Sequence, residues 1–485
     1  MHNSFVEAAF KGMPGSIAAP QCCYIQNGPA IPRRVSACRS YLEEFGGGPI
    51  EIGVPLQRTG VSVFRTAAIT LTSALLMLCS VDFAMSEQTS LRVAYAFAYR
   101  DAAYREKVAD EFMRRHPNIE IKLEPTAVDC PALLQQTLRS SMTNDLPDVL
   151  ASVCYPDMPI LAERRIVTPL DDFVSKDKSG NDVGLAPATL SAVQWKGQTV
   201  ALPESISSLI VYYNMSIIQK ARPGIRDLPE SWNDILSLAH EVSDKDRHST
   251  PIFFEYYPDS YNSSFNSLVY SFGGDVFAQN GSIAFNSPAG MRALHILQRI
   301  GKAGMIDITS EQARQSFASG NIAIYIASNS LLKRLTESAV NRFDVRTAQF
   351  PQSAPDGKLG SGGFGLLMTT KDAQKQKAAW EYMKFAVGPK AQTIMVTSTG
   401  FTPVNSKAIG SPEFLGEFYK TRPNDAVAIE QLPRIKSKNV YPGDNGPRIA
   451  TVIRDHLQSV VALKRPPEEV MPDMVRDVTN LLPKQ

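Results

Sequence analysis

Residues 91–98 read LRVAYAFA, residues 112–123 read FMRRHPNIEIKL and residues 146–153 read LPDVLASV. The first run is apolar and aromatic, which suits a buried strand. Residues 101–115 then place Ala103, Val108 and Phe112 at helical spacing, with Arg114, Arg115 and His116 in the last turn and Pro117 as the stop. Ile119, Ile121 and Leu123 alternate with charged residues and predict a second strand. Leu133–Met142 reads as helix, and Leu146–Val153 as a third buried strand. Strand, helix, strand, helix, strand in this order predicts a parallel sheet with crossover helices.

Further along the chain, Thr199–Pro203 and Leu209–Tyr213 read as strands separated by the polar residues Glu204–Ser208. Trp232–Val242 reads as a helix with Ser231 as its N-cap. Ile322–Ala327 and Gly365–Thr370 read as strands, and 372–387 and 448–464 as helices. Both element types continue to the C-terminus without internal repeats, so the fold class is α/β throughout.

The 485 residues suggest two to four domains, each able to bury a core. With 50 Lys+Arg against 48 Asp+Glu, no basic field exists to hold a nucleic acid or an anionic membrane. A hydrophobic content of 44% excludes a disordered chain, and six cysteines exclude a disulfide scaffold.

Ala67–Val81 (AAITLTSALLMLCSV) carries no charge, follows Arg58 and Arg65, and precedes Asp82. It is short for a membrane span, so we read 58–86 as a signal peptide with cleavage near Ala84 or Ser86. An uncleaved anchor is the competing reading. Residues 1–57 hold Cys22, Cys23 and Cys38 without a clear apolar period, and read as a start-site artefact or disordered extension. Export leaves Cys130 and Cys154, and an oxidising compartment permits a disulfide between them.

Motifs for chemistry are few. Gly360–Gly365 formally fits G-x-G-x-x-G, but it follows the polar loop Pro355–Leu359 and leads into a strand-like LLMTT. A dinucleotide site needs a helix there. No Walker A, H-E-x-x-H or G-x-S-x-G sequence is present, and the histidines after His2 are scattered, so neither cofactor nor metal is expected. Asp171–Asp172 and the pair Asp244 and Asp246 read as capping or solvated carboxylates. Tyr95, Phe97 and Tyr99 alternate at the first strand, and Trp195, Tyr212, Tyr213, Phe364, Phe401 and Tyr441 fall at strand ends or loops. Flat rings suit the apolar face of a sugar, although core packing is the better account of any single one of them. Trp380 lies on a helical stretch and reads as core.

Several segments in order resemble the bacterial family 1 extracellular solute-binding proteins, the ligand-capturing component of carbohydrate-type ABC importers. They are FMRRHPNIEIK (112–122), LPDVL (146–150), IVTPLDDF (166–173), KGQTVALPESISSLIVYYNMSIIQKA (196–221), PESWNDIL (229–236), FASGNIAIYI (317–326), GSGGFGLLM (360–368), AAWEYMKFAV (378–387) and TGFTPVN (399–405). The resemblance implies a periplasmic-binding-protein-like fold of two α/β lobes joined by a hinge, with the ligand in the cleft between them. Lobe 1 would hold 88–205 and 359–400, and lobe 2 would hold 206–358 and 401–485. It also implies a periplasmic, non-enzymatic protein that captures a carbohydrate-like ligand as a monomer and delivers it to inner-membrane permease subunits.

NGPRIATVI (445–453) resembles the segment of glycerol 3-phosphate-binding members in which an arginine meets phosphate, a role that would fall on Arg448. Ser207 and Gly363 match ligand-contacting positions of those members, and Ser208 adjoins the first. Phe401 stands where they carry a tyrosine, and Ala132 where they carry an acidic residue. The ligand-binding set implied is therefore Tyr95, Tyr99, Ser207, Ser208, Gly363, Phe364, Phe401, Tyr441 and Arg448, for a sugar, a polyol or glycerol 3-phosphate. An exported carbohydrate hydrolase or lyase, and a binding partner of a sensor, are the alternative functions.

Overall fold

The chain from Leu202 to Asn214 forms one uninterrupted strand of 13 residues, where the sequence suggested two strands with a polar break. This computed structural model describes residues 88–177, 184–185, 190, 193–256, 261–278, 280–436, 441, 443 and 445–483. The extension 1–57 and the signal segment 58–86 lie outside the described residues. The strands are β1 (Thr89–Ala96), β2 (Ile119–Ala127), β3 (Val149–Cys154), β4 (Gln194–Trp195), β5 (Gln198–Thr199), β6 (Leu202–Asn214), β7 (Thr250–Phe254), β8 (Ile322–Ser328), β9 (Val345–Gln349), β10 (Leu359–Met368) and β11 (Ile435–Lys436).

The first three form as the apolar runs predicted. β1 pairs in parallel with β2, Leu91 opposite Ile121, and with β3, Val93 opposite Val149. The connecting helix spans Ala98–Arg115 and buries Tyr104, Val108 and Phe112, four residues apart on one face. It starts earlier than expected because Phe97, at φ 59°, ends the strand abruptly. The second helix, Cys130–Met142, is N-capped by Asp129, whose carboxylate accepts the Ala132 N–H at 2.9 Å.

The main sheet runs β2-β1-β3-β10-β6-β8-β7, with β11 on β10 and β9 on β6. β6 carries it from one half to the other. Its first part pairs antiparallel with β10, Ser205 opposite Phe364 and Ser207 opposite Gly362. Its second part pairs with β8, Tyr212 opposite Tyr325, and with β9, Tyr213 opposite Arg346. Beyond β8, β7 is parallel, Ile252 opposite Ile324. A third segment lies along β6 at the same level, where Thr402 and Ile206 exchange both backbone hydrogen bonds, at 2.9 and 3.1 Å.

The polar residues Glu204–Ser208 stay in the strand because distant groups meet several of their polar atoms. The Ser205 carbonyl accepts the Tyr155 hydroxyl at 3.0 Å, and the Ser208 N–H donates to Asn329 Oδ1 at 2.8 Å. Likewise β10 begins at Leu359 and includes the whole of Gly360–Gly365, placed by sequence before the strand. From these glycines the chain continues as strand to Met368. The helices expected at 372–387 and 448–464 are Ala373–Val387 and Gly446–Val461. Ser231 caps Trp232–Lys245 by accepting the Asp234 N–H at 3.2 Å. Trp380 is buried, its Nε1 donating to Asp177 at 2.9 Å.

Two ties hold the cleft side of this framework. Cys130 and Cys154 form a disulfide with Cα atoms 5.9 Å apart, joining the start of the second helix to the end of β3. Arg105, only 2% exposed, reaches Glu204 Oε1 at 2.8 Å and Ser152 Oγ at 2.7 Å. Among the described residues, no helix is long and apolar enough to cross a membrane. Because Glu204→Leu leaves the Arg105 charge buried without its carboxylate, we expect it to cost about 3–5 kcal/mol in urea denaturation. The double variant Arg105→Met/Glu204→Leu should recover much of that loss. A double variant as unstable as the single one would refute the charge argument.

Candidate functional site

The C-terminal ends of β1 and β3 open onto a cleft of about 370 Å³. Open α/β sheets bind ligands at this edge because the loops diverge there and leave backbone groups unpaired. From this half come Phe97, Tyr99 and Arg100 after β1, Val128 and Asp129 before the second helix, and Cys154, Tyr155 and Pro156 at the end of β3. The facing wall holds Glu255 after β7, Tyr261, Ser263 and Ser264, then Glu311 and Arg314, and Ser328, Ser330 and Leu331 at the end of β8. Ser207 and Leu209 of β6 and Ser361–Phe364 of β10 complete the lining.

Its chemistry is hydroxyls, aromatic faces and compensated charge. Six serines, Ser207, Ser263, Ser264, Ser328, Ser330 and Ser361, line the cleft with three tyrosines. Tyr99 is 55% exposed, a large ring offered to solvent at the mouth. Arg100 pairs with Asp101 at 2.5 Å and lies against the rings of Phe97, Phe364 and Phe401, with its guanidinium carbon 4.7, 5.3 and 4.6 Å from their centres. Arg314 pairs with Glu255 at 2.9 Å and Glu311 at 3.0 Å. Burial opposes ionisation of Glu311, but its hydrogen bond from Arg314 and the charges of Arg314 and Arg334 hold its carboxyl below the usual range.

Below the lining, Asp157 accepts a hydrogen bond from the Tyr261 hydroxyl. Burial pushes the Asp157 carboxyl up to about 7; the Tyr261 bond opposes this shift, and the nearby Asp129 charge adds to it. The sulfurs of Cys130 and Cys154 and an Asp157 oxygen lie within 4.8 Å of one another. Both sulfurs are committed to the disulfide, which leaves no thiolate there to ligate a metal.

Of the nine residues in the ligand-binding set drawn from sequence, four line the cleft: Tyr99, Ser207, Gly363 and Phe364. Phe401 is buried behind it, edge-on to Phe364 with ring centres 5.6 Å apart. Tyr441 is also buried, its hydroxyl 2.8 Å from the Tyr261 carbonyl and 2.7 Å from Asn262 Oδ1. Tyr95 lies in the core under the Arg105 guanidinium. Ser208 is turned away from the cleft, where its Oγ accepts from Gln431 Nε2 at 3.2 Å. Arg448 is exposed in the first turn of Gly446–Val461 and does not belong to the cleft lining. Sequence reasoning missed Arg100, Asp129, Tyr155, Glu255, Tyr261, Glu311 and Arg314 as site residues. The signal for Tyr155 and Glu255 was their place directly after an apolar strand. Glu311 and Arg314 come from a helix, Ser310–Ala318, whose approach to the cleft only the fold decides.

A family profile for bacterial extracellular solute-binding proteins matches residues 107–421. The chain belongs to that family. A binding protein of Brucella abortus (strain 2308) is 22% identical over 398 residues, covering 80% of this chain and 92% of the relative. The sn-glycerol-3-phosphate-binding periplasmic protein UgpB of Pectobacterium atrosepticum is 24% identical over 301 residues, covering 59% and 67%. Among solved structures, UgpB of Mycobacterium tuberculosis in complex with glycerophosphocholine superposes with a TM-score of 0.70 at 21% identity, covering 80% of this chain and 97% of that one. Maltose-bound MalE3 of T. maritima gives 0.67 at 17% identity, covering 81% and 100%. These likenesses show the fold, that of maltose-binding-protein-like periplasmic binding proteins.

Gly363 brings the β10 backbone against the cleft wall. A Cβ there would lie 2.5 Å from the Ser205 carbonyl oxygen and 2.6 Å from the Tyr155 ring. We expect Gly363→Ala to destabilise the protein by about 1–3 kcal/mol in thermal or chemical denaturation, because backbone and a packed ring must both move. Wild-type stability of this variant would show that the approach is looser than described.

Proposed function

We propose that this solute-binding protein is the periplasmic capture component of an ABC importer and that its ligand is a neutral sugar or polyol. The observation that carries this reading is the cleft itself. Ring faces and serine hydroxyls suit the alternating apolar and hydroxyl surfaces of such a molecule, while Arg100 and Arg314 each already face a carboxylate. An added phosphate would have to compete with Asp101, Glu255 or Glu311 for these cations.

Two lobes, 88–205 with 359–400 and 206–358 with 401–485, would close on the ligand by bending where β6, β10 and the Thr402 segment run side by side. The first boundary falls inside β6 and the second at the start of β10. A ligand touching both walls favours the closed form because it makes both sets of contacts only there. At micromolar affinity it supplies roughly 8 kcal/mol, part of which closes the hinge. Export would proceed through segment 58–86, and the mature monomer would release its ligand to permease subunits without altering it.

A second reading, glycerol 3-phosphate or a related phosphodiester, is favoured by the names of the relatives from Pectobacterium atrosepticum and Mycobacterium tuberculosis. In it Arg448 would be drawn to the phosphate on closure. A thermal-shift screen against sugars, polyols and their phosphates separates the two. A ligand at 100 times its dissociation constant should stabilise the protein by about 2.7 kcal/mol. We expect shifts with a neutral sugar or polyol, and a Tyr99→Ala variant that binds it roughly two- to tenfold more weakly, as loss of about 0.5–1.5 kcal/mol of ring contact requires. Arg448→Ala should leave that affinity unchanged. A shift confined to phosphorylated ligands, with a loss of at least about 2 kcal/mol in Arg448→Ala, would establish the second reading instead.

A further inference from the structure

The Asp157–Tyr261 hydrogen bond joins elements from the two halves of the sheet. Asp157 ends the turn after β3, and Tyr261 lies between β7 and the helix Ser263–Ser271. Both side chains are buried, Asp157 to 1% exposure, at the base of a cleft whose opposing walls are tied at the mouth by the Arg334 guanidinium over the Tyr99 ring, 5.5 Å from its centre. We propose that this buried carboxyl–phenol contact is a proton-dependent latch: the neutral acid is accommodated between the cleft walls, whereas the desolvation cost of the ionised carboxylate, which the Tyr261 hydrogen bond offsets only in part, favours their parting.

The groups around the carboxyl agree with this role. Tyr261 faces it from the opposite wall, with Tyr441 behind Tyr261, its ring centre 5.9 Å away. Asp129 faces it from the start of the second helix, and the Cys130–Cys154 disulfide adds bulk without charge. Tyr155, two residues earlier, is engaged by the Ser205 carbonyl. No cation contributes to its ionisation balance among the described residues, so burial and the Asp129 charge both favour the neutral acid.

The direction follows from linkage. With the walls joined as in this structure, burial pushes the carboxyl up to about 7, and exposure to water returns it toward the ordinary 3.8. Closing therefore takes up a proton between these values. The closing equilibrium constant is largest below about pH 4, falls roughly tenfold per pH unit up to about 7, and is flat above. The inference rests on hinge closure but not on the identity of the ligand, so it is tested without one.

Small-angle X-ray scattering of the ligand-free full chain at pH 5 and pH 8 reads closure directly, and a carboxyl-carbon NMR titration reads Asp157. We expect the wild type to be more compact at pH 5. Asp157→Asn, whose neutral amide stands in for the protonated acid, should lose the pH response. Tyr261→Phe removes the bond that favours the ionised form and should move the Asp157 inflection to higher pH. A wild-type radius of gyration equal at both pH values, or an unchanged pH response in Asp157→Asn, would overturn the proposal. If Asp157→Asn does not fold, an Asp157 titration near pH 4 in the wild type overturns it equally. Failure of the sugar screen would leave these measurements untouched, so the two readings fail separately.

Discussion

The buried ion pair between Arg105 and Glu204 is the constraint on which the rest of the cleft depends. Arg105 comes from the helix that follows β1, and Glu204 from the strand that crosses between the sheet halves. Glu204 Oε2 also accepts the Ser152 N–H at 3.1 Å, and its backbone carbonyl accepts Gln392 Nε2 at 2.9 Å. Ser152 has a positive φ of 57°, an unusual conformation for a serine inside a strand. There the pairing of β3 with β10 shifts register between Gly365 and Leu367. The ion pair thus holds a bulge, and the bulge brings Cys154 and Tyr155 to the cleft lining. Its contribution is positional more than energetic, because desolvating two charges offsets much of their attraction.

Around this fixed point the cleft combines a rigid wall and a hydroxyl-rich one. The rigid wall is tied by the disulfide, by the Asp129 cap and by the stack of Phe97, Arg100, Phe364 and Phe401. Three cations near the cleft, Arg100, Arg314 and Arg334, each meet a carboxylate. Such pairing orients donors and acceptors without leaving a strong local charge, which suits recognition of a neutral ligand by many moderate hydrogen bonds. Asp157, buried against Tyr261 beside the Asp129 charge, is instead pushed up to about 7.

The strands and their class were legible in the sequence wherever burial was uniform. LRVAYAFA, LPDVLASV and IAIYIA are strands in the structure because both faces of each are covered, and an apolar run reports that directly. The same signal failed at Glu204–Ser208 and Gly360–Gly363. These residues are polar or small, yet they form part of β6 and the start of β10, since their partners lie 50 to 223 residues away in chain order. The aromatic set was half legible for the same reason. Tyr99 and Phe364 reach the cleft, whereas Tyr95 and Tyr441 look alike in sequence but are packed into the core.

By itself the sequence determined the α/β class, the order of strands and helices in the first sixty described residues, and the resemblance to extracellular solute-binding proteins. These are local or ordered features, carried by periodicity, caps and motifs along the chain. Only the tertiary structure decided that β6 is continuous, that Cys130 meets Cys154, that Arg105 neutralises Glu204, and that Asp157 meets Tyr261 across the cleft. Each of those is a contact between distant residues in a low-dielectric interior. Its geometry and its effect on ionisation follow from how the chain folds back on itself, a property that no window of sequence contains.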